Sequence, residues 1–480
     1  MRTARRVVAI ALVAGAALLV PGDASADDGT LLAIHERGGR LETWTALEGS
    51  GRAGRCGVLV EQTASPRRWA LSLVCRDGDE PTVRPLEEIA ASRAPALGAD
   101  HDTGGRPLLL LGLPGGRIVA RRVDIDSGSL GPPSVLLDEP SLGRAELADR
   151  TDVDGDGTDD LVVATPDGLA VWRRHATGFS RLGAVTLPRR AALSVLGPQA
   201  IVRGPAYDRR ADAAPRVRWM RPEPRPGSRL VVRRVSLAAG AAIATCEAWI
   251  RTDEAVFVGP MRVVAGPDGP LLFGLTLPTG RVSVLGKWSV LLAPLVCDRT
   301  ARGIAPLATG RTPIPIWSST RFAARADFDG DGTVDLGIQG VSGRRRPQAE
   351  LLLYDGAALR RGTLPQPTTF SVAMKRAPRG PWLNWEADLD DDGLPELVYT
   401  PRQGAVAVIP SRRAEGGAFP LERKSGAERA LPEGALLTAP PAALRLRNGG
   451  DIVLLRAERV DGDGRRHLLG LLVRPAGPTR

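Results

Sequence analysis

The sequence predicts an all-β fold of repeated small antiparallel sheets, on three observations. Short acidic stretches containing glycine recur at a near-constant interval along the 480 residues. Each is followed by an apolar run, a turn and a second apolar run, the pattern of strand, tight connection and strand. Helix-period segments of any length are scarce, and 56 Gly and 40 Pro suit a chain that turns often.

The first 26 residues stand apart from this pattern. Arg2, Arg5 and Arg6 precede the short apolar run "VVAIALVAGAALLV", and the triplet Ala24-Ser25-Ala26 follows soon after. Together these read as a secretory signal cleaved after Ala26, because the run is shorter than the roughly 20 residues a membrane span needs. No later segment is long and apolar enough to span a bilayer, so the mature chain, 27–480, is expected in the medium or periplasm. In an oxidising compartment an even number of cysteines most often pairs. Of the four, Cys56 and Cys75 bracket the strand-like runs "GVLVEQ" and "RWALSLV", and Cys246 with Cys297 is the favoured second pair. A zinc site is disfavoured because no CxxC is present and no His stands near these residues at ligand spacing.

The hairpin pattern begins with residues 30–47, "TLLAIHERGGRLETWTAL", which carry no acidic stretch of their own. Residues 56–75 fit the repeat poorly. Acidic stretches then stand at 152–161, "DVDGDGTDDL", at 327–336, "DFDGDGTVDL", and at 388–397, "DLDDDGLPEL". The last two start 61 residues apart, and the first two 175 apart, close to three such intervals. A fixed period of this size signals a repeat array. Eroded members are expected at "DHDTGGRPLL" from 100, near Asp208 and Asp212, near Asp268, and at "RVDGDGRRHLL" from 459. Three or four short strands per period of about 60 residues describe a blade that must stack on its neighbours, hence a β-propeller. The count from 100 to 461 gives seven blades, with an eighth possible around 56–75. The final repeat stops after one strand, so the N-terminal strands are expected to complete the last blade and remove its open edge.

Numbering Asp152 as position 1, carboxylates occupy positions 1, 3, 5 and 9: Asp152, Asp154, Asp156 and Asp160. The second stretch offers Asp327, Asp329, Asp331 and Asp335, and the third Asp388, Asp390, Asp392 and Glu396. Position 6 is Gly in all three, which permits a sharp bend, and the position-7 carbonyls of Thr158, Thr333 and Leu394 can add an oxygen ligand. Several hard oxygen donors in a flexible loop favour Ca²⁺. An EF-hand is excluded, because position 12 is Val163, Ile338 or Tyr399 inside a strand and not a bidentate acid before a helix. The three stretches resemble the FG-GAP and VCBS repeats of the integrin α-chain N-terminal-like β-propeller superfamily. That resemblance implies a propeller with calcium loops between the first two strands of a blade.

Catalytic signatures are absent from the sequence: there is no GxSxG, HExxH, Walker loop or dinucleotide fingerprint, and the four His are far apart. Asp124 and Asp126 read as hairpin-turn acids, and Trp172 as a core residue. The formal charge of +10 comes from scattered Arg, with only "RRRP" at 344–347 densely basic, and predicts no nucleic-acid partner. The expected role is that of a secreted, monomeric, non-catalytic binding or scaffold module for an extracellular protein or glycan. The alternative is a polysaccharide lyase on a calcium-decorated propeller, for which no base is identifiable.

Overall fold

A computed structural model describes residues 32–473 with gaps, chiefly 36–40, 141–145, 152–159, 187–191, 204–228, 237–243, 279–288, 297–304, 313–317, 376–381, 414–418, 422–426 and 461–465, plus shorter breaks. The signal segment 1–26 lies outside them. The described strands form eight antiparallel sheets of four or five strands. In chain order the first seven run from Leu41 to Ala90, Ala96 to Asp138, Glu146 to Thr186, Ala192 to Arg251, Ala255 to Arg311, Ser318 to Ala373 and Leu383 to Ala430. Each is drawn from one contiguous stretch. The eighth takes 435–437, 442–444, 452–460 and 466–473, and its outer partner is Leu32–His35, with Leu32 opposite Leu472.

Residues 56–75, left unassigned by the repeat spacing, form the two central strands of the first sheet, with Cys56 directly opposite Cys75 and disulfide-bonded to it. Cys246 lies in a strand of the fourth sheet, while Cys297 falls outside the described residues. The expected 30–47 hairpin does not form. Leu32–His35 pairs with the eighth sheet and Leu41–Ala46 with the first, so the two strands separate at 36–40. An alternating apolar run pairs equally well with any compatible edge, and the edges available here belong to different sheets.

Two of the eroded repeats also sit elsewhere than expected. In the fourth sheet the first two strands, Ala192–Leu196 and Gln199–Arg203, pair with Leu196 opposite Gln199, so the first connection precedes Asp208, which itself lies outside the described residues. In the eighth sheet the "VDGDG" segment joins the second strand, Ile452–Val460, to Arg466–Val473, and the first connection is 445–451 instead. Asp-Gly is ordinary hairpin-turn chemistry, so composition alone cannot say which connection of a sheet carries it. By contrast, Asp268 does fall between the first two strands of the fifth sheet.

Neighbouring sheets meet through their first strands. Leu41–Ala46 contacts Ala96–His101, which contacts Glu146–Thr151, and that strand contacts Ala192–Leu196. A second series runs through Ala255–Gly266, Ser318–Ala326, Leu383–Ala387 and Ala442–Leu444, each contacting the next, and the last of them contacts Leu41–Ala46. Among the described residues, apolar cores join the first sheet to the second, the second to the third, the fifth to the sixth, the sixth to the seventh, the seventh to the eighth and the eighth to the first. Leu109 and Leu111 pack on Val58 and Val60, Leu161 and Trp172 on Leu110 and Ile118, and Trp385 on Leu351 and Ala324. One core joins the chain's extremes: Leu59 and Val74 of the first sheet pack on Leu444, Ile452, Leu454 and Leu472 of the eighth. This is a β-propeller arrangement. A sheet covered on both faces explains why its central strands read as unbroken apolar runs; Asp335–Ser342 is buried along its whole length. Fourth strands such as Ser134–Asp138 are mostly exposed and more polar.

Candidate metal centre

Two of the three acidic stretches are described, and each connects the first two strands of its sheet, the sixth and the seventh. Their hydrogen bonding matches position for position although the sequences differ. Position 1 accepts two loop amides: Asp327 Oδ1 and Oδ2 from Gly330 N (2.8 Å) and Gly332 N (3.0 Å), and Asp388 from Asp391 N (2.7 Å) and Gly393 N (2.9 Å). Position 3 accepts from position 5, Asp331 N to Asp329 Oδ1 at 3.1 Å and Asp392 N to Asp390 Oδ1 at 3.3 Å. Position 5 accepts from position 7, Thr333 N to Asp331 Oδ1 at 2.6 Å and Leu394 N to Asp392 Oδ1 at 2.8 Å. The bend needs left-handed backbone at Gly332 (φ +81°) and Gly393 (φ +88°), which glycine adopts without steric cost.

Position 9 ties the loop to the sheet. Asp335 Oδ2 accepts from Phe328 N (3.1 Å) and Oδ1 from Gly356 N (2.7 Å), beyond the third strand. Glu396 accepts from Leu389 N (2.5 Å) and, beyond its own third strand, from Ser411 N (3.5 Å). Asp160 repeats the device, its Oδ1 accepting from Arg174 N (2.9 Å). The remaining predicted ligands of the first stretch, Asp152, Asp154, Asp156 and Thr158, lie outside the described residues.

Ligand atoms of Asp327, Asp329 and Asp335 all lie within 4.8 Å of one another, as do those of Asp388, Asp390 and Glu396. That span is about twice a Ca–O bond of roughly 2.4 Å, so one ion can touch all three. Positions 1, 3 and 9 thus converge. Asp331 and Asp392 stand outside the two triplets, turned to their own position-7 amides. The donor set is entirely carboxylate oxygen, which fits a hard divalent cation.

Electrostatics point the same way. Burial, opposed by backbone amides and reinforced by neighbouring carboxylates, pushes Asp335 up to about 6, Asp388 up to about 6 and Glu396 up to about 9. Asp329 and Asp392 are also raised, first by burial. The eroded loop of the second sheet behaves oppositely. There Asp102 is bonded by Arg106 Nε (2.9 Å) and Arg122 Nη2 (3.1 Å), and its pKa is lowered, chiefly by the backbone N–H of Arg106. Two arginines supply in that loop the positive charge the intact loops do not carry within themselves. Among the described residues, Arg413 Nη1 approaches Asp327 Oδ2 of an intact loop only at 3.9 Å. A third grouping, Glu48, Asp100 and His101, is likewise matched by arginines, Arg447 on Glu48 (3.1 Å) and Arg174 on Asp100 (3.1 Å), so it suits an ion-pair network better than a metal.

Several contributors escape a search for acids. Phe328 and Leu389, at position 2, are fully buried plugs, with Phe328 against the Trp385 ring at 5.6 Å. An apolar residue at position 2 of all three stretches, Val153 included, is legible in the sequence. The long-range partners of the loops carry no sequence signal. Asp124 accepts Asp126 N and Ser127 N as a turn acid, and Trp172 is buried, as their sequence contexts suggest.

No protein-family model and no curated protein matches the chain. Solved propellers resemble it in structure. The Dos1 propeller aligns at TM-score 0.44 and 11% identity over 95% of this chain and 98% of its own. The WD40 domain of fission-yeast SCAP aligns at 0.46 and 11% over 93% and 98%, and Saccharomyces cerevisiae Sqt1 at 0.42 and 10% over 94% and 99%. The propeller assignment rests on the chain's own strand order, first-strand contacts and shared cores.

Proposed function

We propose that this chain is an exported, calcium-stabilised propeller of FG-GAP/VCBS type, its eight sheets forming eight blades of a closed ring. In this reading the mature protein begins after Ala26 and is a monomer that serves as a non-catalytic binding or scaffold module for an extracellular protein or glycan. The carrying observation is the pair of convergent triplets, Asp327/Asp329/Asp335 and Asp388/Asp390/Glu396, set against the arginine-neutralised Asp102. Two carboxylates about 4 Å apart repel by roughly 1 to 4 kcal/mol depending on local dielectric. A bound Ca²⁺ converts that repulsion into a fastening between the first two strands of a blade.

The test is a thermal melt of the full mature chain with chelator and with calcium. Extracellular sites bind with dissociation constants near 0.1 to 1 mM. At ten times that concentration each occupied site adds roughly 1.4 kcal/mol. The expected result is a visible rise in Tm with calcium, reduced in Asp329→Asn and in Glu396→Gln. Superimposable melts with chelator and excess calcium would falsify the metal reading.

A further inference from the structure

The seventh-sheet acidic loop differs from its sixth-sheet counterpart in what lies around it. Its first residue is bonded to the eighth sheet: Asp388 N donates to Asp451 Oδ2 (3.1 Å), and Asp451 N donates back to the Asp388 carbonyl. The other oxygen of Asp451 accepts Leu446 N (3.0 Å), so this carboxylate holds both the acidic loop and the 445–451 connection. A third party arrives from the first sheet. Arg76, buried at the end of Arg68–Asp77, donates from Nη1 to the Leu389 carbonyl (2.6 Å) and to the Asp451 carbonyl (3.5 Å). Gly450, at φ +74°, leaves room for it, and a Cβ there would collide with Nη1.

The same connection makes the junction between the two ends of the chain. Trp44 Nε1 donates to the Arg445 carbonyl (3.1 Å) across 401 residues, and Arg447 N and Asn448 N both donate to the Gly54 carbonyl (3.0 and 2.9 Å). Beneath them lies the Leu59, Val74, Leu444 and Ile452 core. Closing segments so distant in sequence carries a loop-entropy cost, and the backbone crosses at the same seam, since Leu32–His35 of the eighth sheet directly precedes Leu41–Ala46 of the first.

We infer that Arg76 and Asp451 form a latch through which the cation loop of the seventh sheet governs closure between the first and eighth sheets. This rests on the calcium reading. Ordering Asp388 and Leu389 around an ion fixes the carbonyl that receives Arg76 and the amide that holds Asp451, so occupancy of the loop is felt at Arg445–Asn448 and Gly54. The sixth-sheet loop meets the seventh sheet through the looser Arg413–Asp327 ion pair and the Phe328–Trp385 ring contact, with no comparable buried arginine on a loop carbonyl among the described residues.

Hydrogen exchange of the full mature chain, with 5 mM calcium or with chelator, tests this. In the wild type, calcium is expected to slow exchange several-fold in 327–336 and 388–397, and also at 442–448. Arg76→Met and, independently, Gly450→Ala keep the slowing in both acidic loops and lose it at 442–448. Persistence of the junction effect in both variants overturns the latch, and so does wild-type slowing confined to the loops. No slowing in either loop of the wild type overturns the calcium reading itself, and the coupling falls with it. If both variants fail to fold, the wild-type comparison at 442–448 still decides.

Discussion

At the scale of single residues, the acids of the loops are held in a state that water would not choose. Asp335, Asp388 and Glu396 keep raised pKa values because the fold buries them beside other carboxylates, even though each accepts backbone amides. In the unfolded chain these groups titrate near 4, so between there and their folded values the native state binds more protons. Stability from the protonated forms is complete below pH about 4 and is lost as pH rises through 6 and then 9. Chelated protein should therefore melt at a lower temperature at pH 8 than at pH 5, and calcium should restore the loss at pH 8. Asp335→Asn with Asp388→Asn should reduce that slope, and Glu396→Gln should reduce it further, since the Glu396 window extends to about 9. An unchanged slope in the double variant would point to other groups as its source. The convergence of positions 1, 3 and 9 was legible because alternation aims them together. Position 5 was not separable from them, since its amide-bound orientation is set by the loop's own bend.

At the scale of elements, central strands such as Cys56–Gln62 and Pro107–Leu113 are apolar ribbons covered on both faces, which is why runs such as "GVLV" and "LLLLGL" do not alternate. Cys56 and Cys75 sit opposite one another in such ribbons, buried in the core shared by the first two sheets. A bridge closing 19 residues stabilises by about 3 kcal/mol in the chain-entropy account. Cys56→Ser with Cys75→Ser is expected to lower stability by about that amount in denaturant titration, without altering the calcium-dependent increment. Loss of the increment as well would mean that the first sheet communicates with the ion loops more broadly than through Arg76. Strand existence and the place of the sixth and seventh connections were readable from apolar runs and spacing. Pairing partners were not, as Leu32–His35 and the displaced "VDGDG" turn show, because a hairpin-like pattern does not name its edge.

At the scale of the whole molecule, the eighth sheet depends on residues from the other end of the chain. Leu32–His35 covers the outer side of Arg466–Val473, and without it that strand presents unpaired amides and carbonyls. A chain starting at residue 41 is expected to associate or aggregate more than the chain that retains Leu32–His35 at the same concentration, measured by size-exclusion chromatography with light scattering. Unchanged behaviour would show that the outer edge needs no cover.

Residue order alone determined that this is an all-β protein of repeated small sheets and that the acidic stretches at 327–336 and 388–397 are connections between strands, because side-chain alternation and turn chemistry are local properties. Only the tertiary structure decided how many sheets there are, that the N-terminal strands part between the last sheet and the first, and that Arg76 and Asp451 meet Leu389 and Asp388. Those contacts join segments from roughly 60 to more than 300 residues apart. They are selected by the way sheets stack around one another, and no local pattern carries that information.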